Sequence, residues 1–292
     1  MQPSRPDESR PDEPRPDEPN PADLAAALAP LLGEVDPASV SLRRLQGGLS
    51  NRTYALAWGD AAYVVRSAPV GSSPVTHDVR REFRALAAVA PAFPLAPRAL
   101  HLVRDTALFG MPFFVMERRA GRGLFDLAPD PRGELTEPAL VMVDALADLH
   151  RLDASAPGLK DLGLAKGFVA RFVNGLAARW KNSQAGADLD ALALPLVDWL
   201  TTHAPATDRS AVLHNDYKPD NVLWTADLGA VSAVLDWELC TLGEPLVDLG
   251  LLLAYWPDPS DDEDRQAVDL IPRAPSLPRR AELAERYAAQ TG

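Results

Sequence analysis

Apolar residues recur along this chain first with a period of two and later with a period near that of a helix. After a short helical stretch around Asp23 to Leu32, the segment Val40 to Leu45 has the composition of a strand. A second strand follows in which the large residues Tyr54, Leu56 and Trp58 alternate with small ones, so that one face is built for a core. Gly59-Asp60 turns the chain into a third strand, Ala62 to Arg66. From His77 to Val89 the period lengthens, and Val79, Phe83, Leu86 and Ala90 are spaced to face inward from a helix. Pro91, Pro94 and Pro97 stop it, after which Ala99 to Val103 and Phe113 to Glu117 read as two more strands.

Beyond Glu117 the pattern is mainly helical. Thr136-Glu137-Pro138 is a helix start, and Leu140, Val143, Leu146 and His150 then share one face. His150 closes this helix, where packing or capping is the ordinary role of a histidine. Phe168 to Lys181 and Leu189 to His203 predict two further helices. Short apolar runs return around Leu213 to Trp224 and Ala233 to Glu238, arranged as strand, polar loop, strand, turn, strand. Asp248 opens another apolar helix, where it is placed to anchor loop backbone. An acidic loop spans Asp258 to Asp264, and a last helix runs from Arg279 to Gln290. Strands first and helices afterwards predict an α+β chain.

Composition narrows the setting. The 292 residues suffice for one large domain or two lobes. Residues 1–22 repeat Arg-Pro-Asp-Glu without a large apolar side chain and are expected to be a disordered tail. The single cysteine, Cys240, excludes an internal disulfide and a multi-cysteine zinc site, and points to a reducing cytoplasm. No apolar run approaches the roughly 20 residues of a membrane span, and the charged N-terminus has no signal-peptide core. The formal charge of -12 argues against nucleic acid as a partner. It does not by itself select a cationic substrate.

The chemistry concentrates in Leu213-His-Asn-Asp-Tyr-Lys-Pro-Asp-Asn-Val-Leu-Trp224 and Ala233-Val-Leu-Asp-Trp-Glu238. Asp216, Asn221 and Asp236 each sit at the end of an apolar run, which places them close together. Phosphoryl transfer needs a carboxylate to accept the proton of the attacking hydroxyl and oxygen ligands to hold magnesium on the phosphates. Asp216 suits the first task, Asn221 and Asp236 the second, and Lys218 adds a cation to the same loop. His214 could instead join Asp216 and Asp236 in a hydrolytic metal site, but no second histidine stands at ligand spacing. Upstream, Gln46-Gly-Gly-Leu-Ser-Asn51 between two strands would let backbone N–H groups approach phosphate oxygens, or would serve as an ordinary hairpin turn.

The loop resembles the catalytic loop of the aminoglycoside phosphotransferase and choline kinase superfamily, the small-molecule relatives of protein kinases. The run Val234-Leu-Asp-Trp-Glu-Leu-Cys-Thr-Leu-Gly-Glu-Pro-Leu-Val-Asp-Leu-Gly250 is similar to the subgroup whose kinase-like domain is fused to acyl-CoA dehydrogenases. The resemblance spans about Leu42 to the end. It implies a two-lobed protein kinase-like fold, with a five-stranded antiparallel nucleotide-binding lobe at 23–117 and a helical lobe with the catalytic loop at 118–292. It implies ATP and Mg2+ as cofactors, with Gly47, Gly48, Ser50 and Asn51 over the phosphates. Arg66 takes the place of the phosphate-binding lysine, and Glu82 is its helical partner. Met116 would line the base pocket, and the Glu117 carbonyl and Arg119 N–H would meet the adenine edge. Asp216 and Lys218 would be catalytic, and Asn221 and Asp236 would bind the metal.

The acceptor implied is a hydroxyl of a small molecule, either a hydroxyacyl compound or an amino-alcohol such as an aminoglycoside, bordered by the helices carrying Arg171, Arg179, Trp180 and Lys181. Two departures stand out. Asn215 occupies a position that is usually Gly, and family members generally continue for several more helices, so the chain looks C-terminally truncated. A nucleotide-binding pseudoenzyme is the competing expectation.

Overall fold

The computed structural model describes residues 19–45, 51–71, 78–123, 135–183, 186–204, 209–262, 265 and 276–292. The expected tail lies outside the described residues as far as residue 18. Its last residues are structured: Asn20 caps helix α1 (Pro21–Leu32) by accepting the Asp23 N–H at 2.9 Å. Pro21 opens that helix because its missing N–H is one that a first turn leaves unpaired anyway. Contacts divide the chain into two compact units, Met1–Arg80 with Ala99–Arg118, and Arg81–Arg98 with Arg119–Gly292. The stretch 81–98, assigned by sequence to an N-terminal lobe, therefore packs with the second unit.

The first unit is a five-stranded antiparallel sheet of β1 (Val40–Arg44), β2 (Arg52–Trp58), β3 (Ala61–Ser67), β4 (Ala99–Val103) and β5 (Phe113–Glu117), in the order β1-β2-β3-β5-β4. Alternation assigns its two faces. Tyr54, Leu56, Trp58, Val65, Phe113 and Val115 pack with Leu24 and Leu28 of α1 in one buried core. Each such side chain contributes about 1.5–3 kcal/mol relative to exposure. The Trp58 indole donates to the Gly33 carbonyl at 3.2 Å, tying the end of α1 to the sheet. The other face carries two rows set by register, Ala55–Val64–Met116 and Thr53–Arg66–Phe114.

Helix α2 (Val79–Val89) buries Val79, Glu82, Ala85, Leu86 and Val89. The buried stripe differs from the expected one: Phe83 and Ala90 are only half-buried, and a carboxylate takes a place in the face.

In the second unit, α3 (Thr136–His150) packs against the last helix, α7 (Arg280–Thr291). Arg286 of α7 grips Asp144 of α3 through two hydrogen bonds of 2.8 and 2.6 Å. Helices α4 (Phe168–Ser183) and α5 (Ala187–His203) pack on each other, joined by the Trp180 indole donating to Asp190 at 2.7 Å. Two antiparallel strand pairs frame the polar loops. Strand β6 (Ala211–Leu213) pairs with β9 (Thr241–Gly243), and β7 (Val222–Trp224) with β8 (Val231–Val234). Strand β9 has no sequence signal, since three residues are too few to show a period. Helix α6 (Leu246–Tyr255) follows at once. Among the described residues, no helix is long and apolar enough to cross a membrane.

Candidate active site

The loop between β6 and β7 holds Asp216, Lys218 and Asn221. Asn221 donates its side-chain amide to the Asp216 carbonyl at 2.9 Å and to Asp216 Oδ2 at 3.0 Å. Lys218 Nζ lies 3.1 Å from the same Oδ2 and 3.7 Å from the Asp220 carboxylate. Both contacts fall on one oxygen, which leaves Oδ1 of Asp216 as the oxygen available to a proton. Partial burial disfavours the Lys218 ammonium, but the hydrogen bond and charge of Asp216, aided by Asp220, outweigh it and raise its pKa. The amine also sits 5.5 Å above the centre of the Tyr255 ring, a cation–π contact that supports the charged form.

Asp236 follows β8, and the neighbouring Leu235 N–H donates to the Asn221 carbonyl at 2.8 Å. That bond brings the two expected metal residues side by side. Asp236 has φ 66°, a left-handed conformation that costs free energy in a non-glycine residue and recurs where surrounding structure fixes a functional side chain. Carboxylate oxygens of Glu82, Asp236 and Glu238 lie within 4.8 Å of one another. Glu82 is 0% exposed. These are hard oxygen donors, and with Asn221 Oδ1, the atom left when its amide nitrogen binds Asp216, they suit magnesium rather than a softer metal. The spacing Asp216–Asn221 identifies the loop. It does not reveal Glu238, or that Glu82 belongs to this oxygen set, because that depends on where α2 packs.

The loop backbone is held from behind. Asp248 of α6 accepts the N–H groups of His214 and Asn215, both at 2.7 Å, through its two oxygens. Asp248 thus anchors backbone, in line with its position at the start of an apolar helix. Asn215 has φ 63°, and the glycine-like position is met by one of the few residue types that tolerate the left-handed region. His214 is buried between the rings of Tyr217 and Trp237, and its Nε2 donates to the Leu235 carbonyl at 2.8 Å. With Nε2 so engaged, it plays a packing role. His150 was left out of the site by sequence reasoning, yet its Nε2 lies 3.2 Å from Asp248 Oδ2. Its position at a helix end gave no sign of this partner.

In the first unit, Asn51 and Arg66 are buried, and Met116 shares the sheet face of Arg66. Glu117 pairs with Tyr63 in the register of β3 and β5. Gly47, Gly48 and Ser50 lie outside the described residues.

In the second unit, the Arg119 guanidinium donates to the Ser232 carbonyl at 2.7 Å, and Ser232 Oγ donates to the Ala120 carbonyl at 2.8 Å. A Cβ on Gly121 would lie 2.7 Å from Leu223 Cβ and 2.9 Å from the Trp224 carbonyl oxygen, with Ser232 Oγ closer still. Only glycine lets this strand of chain lie against the β7–β8 pair. Among the acceptor-side candidates, Arg171 folds back onto the carbonyls of Leu164 and Lys166, and Trp180 is spent on Asp190.

The sequence profile of a family described as the phosphotransferase enzyme family, APH, matches residues 41–283. The chain belongs to this family. An acyl-CoA dehydrogenase family member 11 from Gallus gallus is 35% identical over 227 residues, covering 75% of this chain. The chain spans only 29% of that relative's length.

Among solved structures, a protein of Ralstonia eutropha JMP134, provisionally named an aminoglycoside phosphotransferase, is 28% identical. Its TM-score is 0.74, covering 92% of this chain and 80% of that one. A thermostable mutant of aminoglycoside phosphotransferase APH(4)-Ia, in ternary complex with AMP-PNP and hygromycin B, has a TM-score of 0.57 at 18% identity. It covers 80% of this chain and 77% of its own, and the likeness shows the fold alone. The chain is thus a member of the APH phosphotransferase family with a kinase-like fold, and the resemblance read from the catalytic loop holds.

Proposed function

We propose that this phosphotransferase moves the terminal phosphoryl group of ATP to a hydroxyl group of a small molecule. The observation that carries the reading is the state of Asp216: one carboxylate oxygen is held by Asn221 and Lys218, and the other is left to take a proton. As the acceptor oxygen forms its bond to phosphorus, Oδ1 of Asp216 accepts the hydroxyl proton and the bond to the ADP oxygen breaks. Lys218, 3.1 Å from Oδ2 of Asp216, adds positive charge where the transferred group gathers negative charge.

Nucleotide use is supported by the first unit's sheet and by the AMP-PNP in the APH(4)-Ia complex. Ala55, Val64 and Met116 form an apolar row for the base, with Arg66 in the adjoining row to meet phosphate oxygens. The Glu117 carbonyl and Arg119 N–H are proposed to pair with the adenine edge, and Gly47, Gly48, Ser50 and Asn51 to cover the phosphates. Asn221 and Asp236, with Glu82 and Glu238 beside them, are the residues that would hold Mg2+. When bound, the ion would offset negative charge on the phosphates.

The acceptor class is either a hydroxyacyl compound, by kinship with the acyl-CoA dehydrogenase-fused relatives, or an amino-alcohol or aminoglycoside. ADP release with ATP and magnesium across a panel of the three, comparing wild type with Asp216→Asn, tests this. Stimulation by one class that is lost in the variant is expected. Binding of ATP with no stimulation by any class would overturn it.

A further inference from the structure

The anchor of the catalytic loop does not end at Asp248. His150, at the end of α3, is in contact with Asp248 through Nε2 at 3.2 Å, and its other nitrogen, Nδ1, lies 2.7 Å from the Tyr287 hydroxyl on α7. The Tyr287 ring meets the His150 ring edge-on, at 5.7 Å between centres. The side chains of His150 and Asp248 are 2% and 0% exposed, so water does not compete for these bonds. Donor and acceptor roles follow from chemistry. An ionised Asp248 can only accept, so Nε2 of His150 carries a proton and donates it. In that tautomer Nδ1 accepts, and the phenol donates to it. Burial, with the charges of Asp248 and Glu244 opposed by Arg209, pushes the Tyr287 phenol up to about 12, so it keeps the proton it donates.

We infer that Tyr287, through His150 and Asp248, is a positioning residue that holds the amides of His214 and Asn215 and so sets the place of Asp216. The chain Tyr287–His150–Asp248 ends on Asn215, whose backbone lies in the left-handed region. Without the phenol, Nδ1 loses a buried partner, the imidazole is free to change tautomer or turn, and Asp248 loses a fixed donor. Its two oxygens then hold the His214 and Asn215 amides less firmly. The next residue is Asp216, so the last helix of the described chain acts on the proposed base without touching it. This consequence rests on the phosphotransferase reading; the relay itself does not.

The test compares Tyr287→Phe with Arg286→Gln by amide hydrogen exchange read residue by residue. Arg286→Gln loosens the same helix by breaking its grip on Asp144 but leaves the relay intact. Tyr287→Phe is expected to speed exchange at His214 and Asn215 about fivefold, the scale of one net hydrogen bond, with little effect from Arg286→Gln. In turnover, Tyr287→Phe is expected to lower kcat while the nucleotide KM stays unchanged. No change at His214 and Asn215 in Tyr287→Phe would overturn the relay, as would an equal change in Arg286→Gln. Exchange needs no substrate, so absence of turnover in wild type would count against the proposed reaction and leave the relay decided on its own.

Discussion

Asn221 binds both the carbonyl and the carboxylate of Asp216, five residues before it, at 2.9 and 3.0 Å. One amide thereby closes the loop and orients the proposed base. Asp216→Asn removes the base but keeps the shape. Phosphoryl transfer should fall by about 10²–10⁴-fold, with nucleotide affinity within a few-fold of wild type. Steady-state kinetics beside a nucleotide-binding titration checks this, and comparable losses in both would move Asp216 from chemistry to binding.

The oxygen set around Asp236 makes a separate prediction. In Asp236→Asn, and to a lesser degree in Glu82→Gln, the magnesium concentration for half-maximal activity should rise by about 10-fold or more. A magnesium titration at fixed ATP reads it directly. An unchanged requirement in Asp236→Asn would mean that the ion is held elsewhere.

Gly121 lies where a side chain has no room between Leu223, Trp224 and Ser232. Gly121→Ala should destabilise the second unit by about 1–3 kcal/mol, the usual cost of overpacking. Urea denaturation gives the number, and a loss below a few tenths would show that the β7–β8 pair yields easily.

Acid should weaken the join between α6 and α7. Asp258 accepts from the Ser260 hydroxyl at 2.7 Å, from the Ser260 N–H at 3.0 Å and from the Arg280 N–H at 2.9 Å. These bonds, led by the Ser260 hydroxyl, hold its carboxyl at about 2, below the ordinary value. A lowered folded-state pKa stabilises above the unfolded value of about 3.9. That contribution is lost as the pH falls through the folded value. Wild type should therefore melt higher than Asp258→Asn at pH values above about 5, with the gap closing as the pH falls toward about 2. A gap independent of pH would show that the carboxylate charge is not what matters.

Local pattern alone determined much of this protein. The alternation of Tyr54, Leu56 and Trp58 marks the sheet's core face, because side chains on a strand point to opposite sides whatever the strand packs against. The interval from Asp216 to Asn221, and the return of a short strand before Asp236, marks the catalytic loop and the family, because a loop of that length closes on itself. Tertiary structure decided the partners brought from afar. Glu82 reads in the sequence as a residue flanking the helix's apolar stripe, named by resemblance as the partner of Arg66; only the packing of α2 buries its carboxylate beside Asp236 and Glu238. His150 reads as a helix end until α6 and α7 come to rest on either side of it. Periodicity tells which face of an element is buried. Which charged groups meet there depends on how the elements pack, and no local pattern contains that.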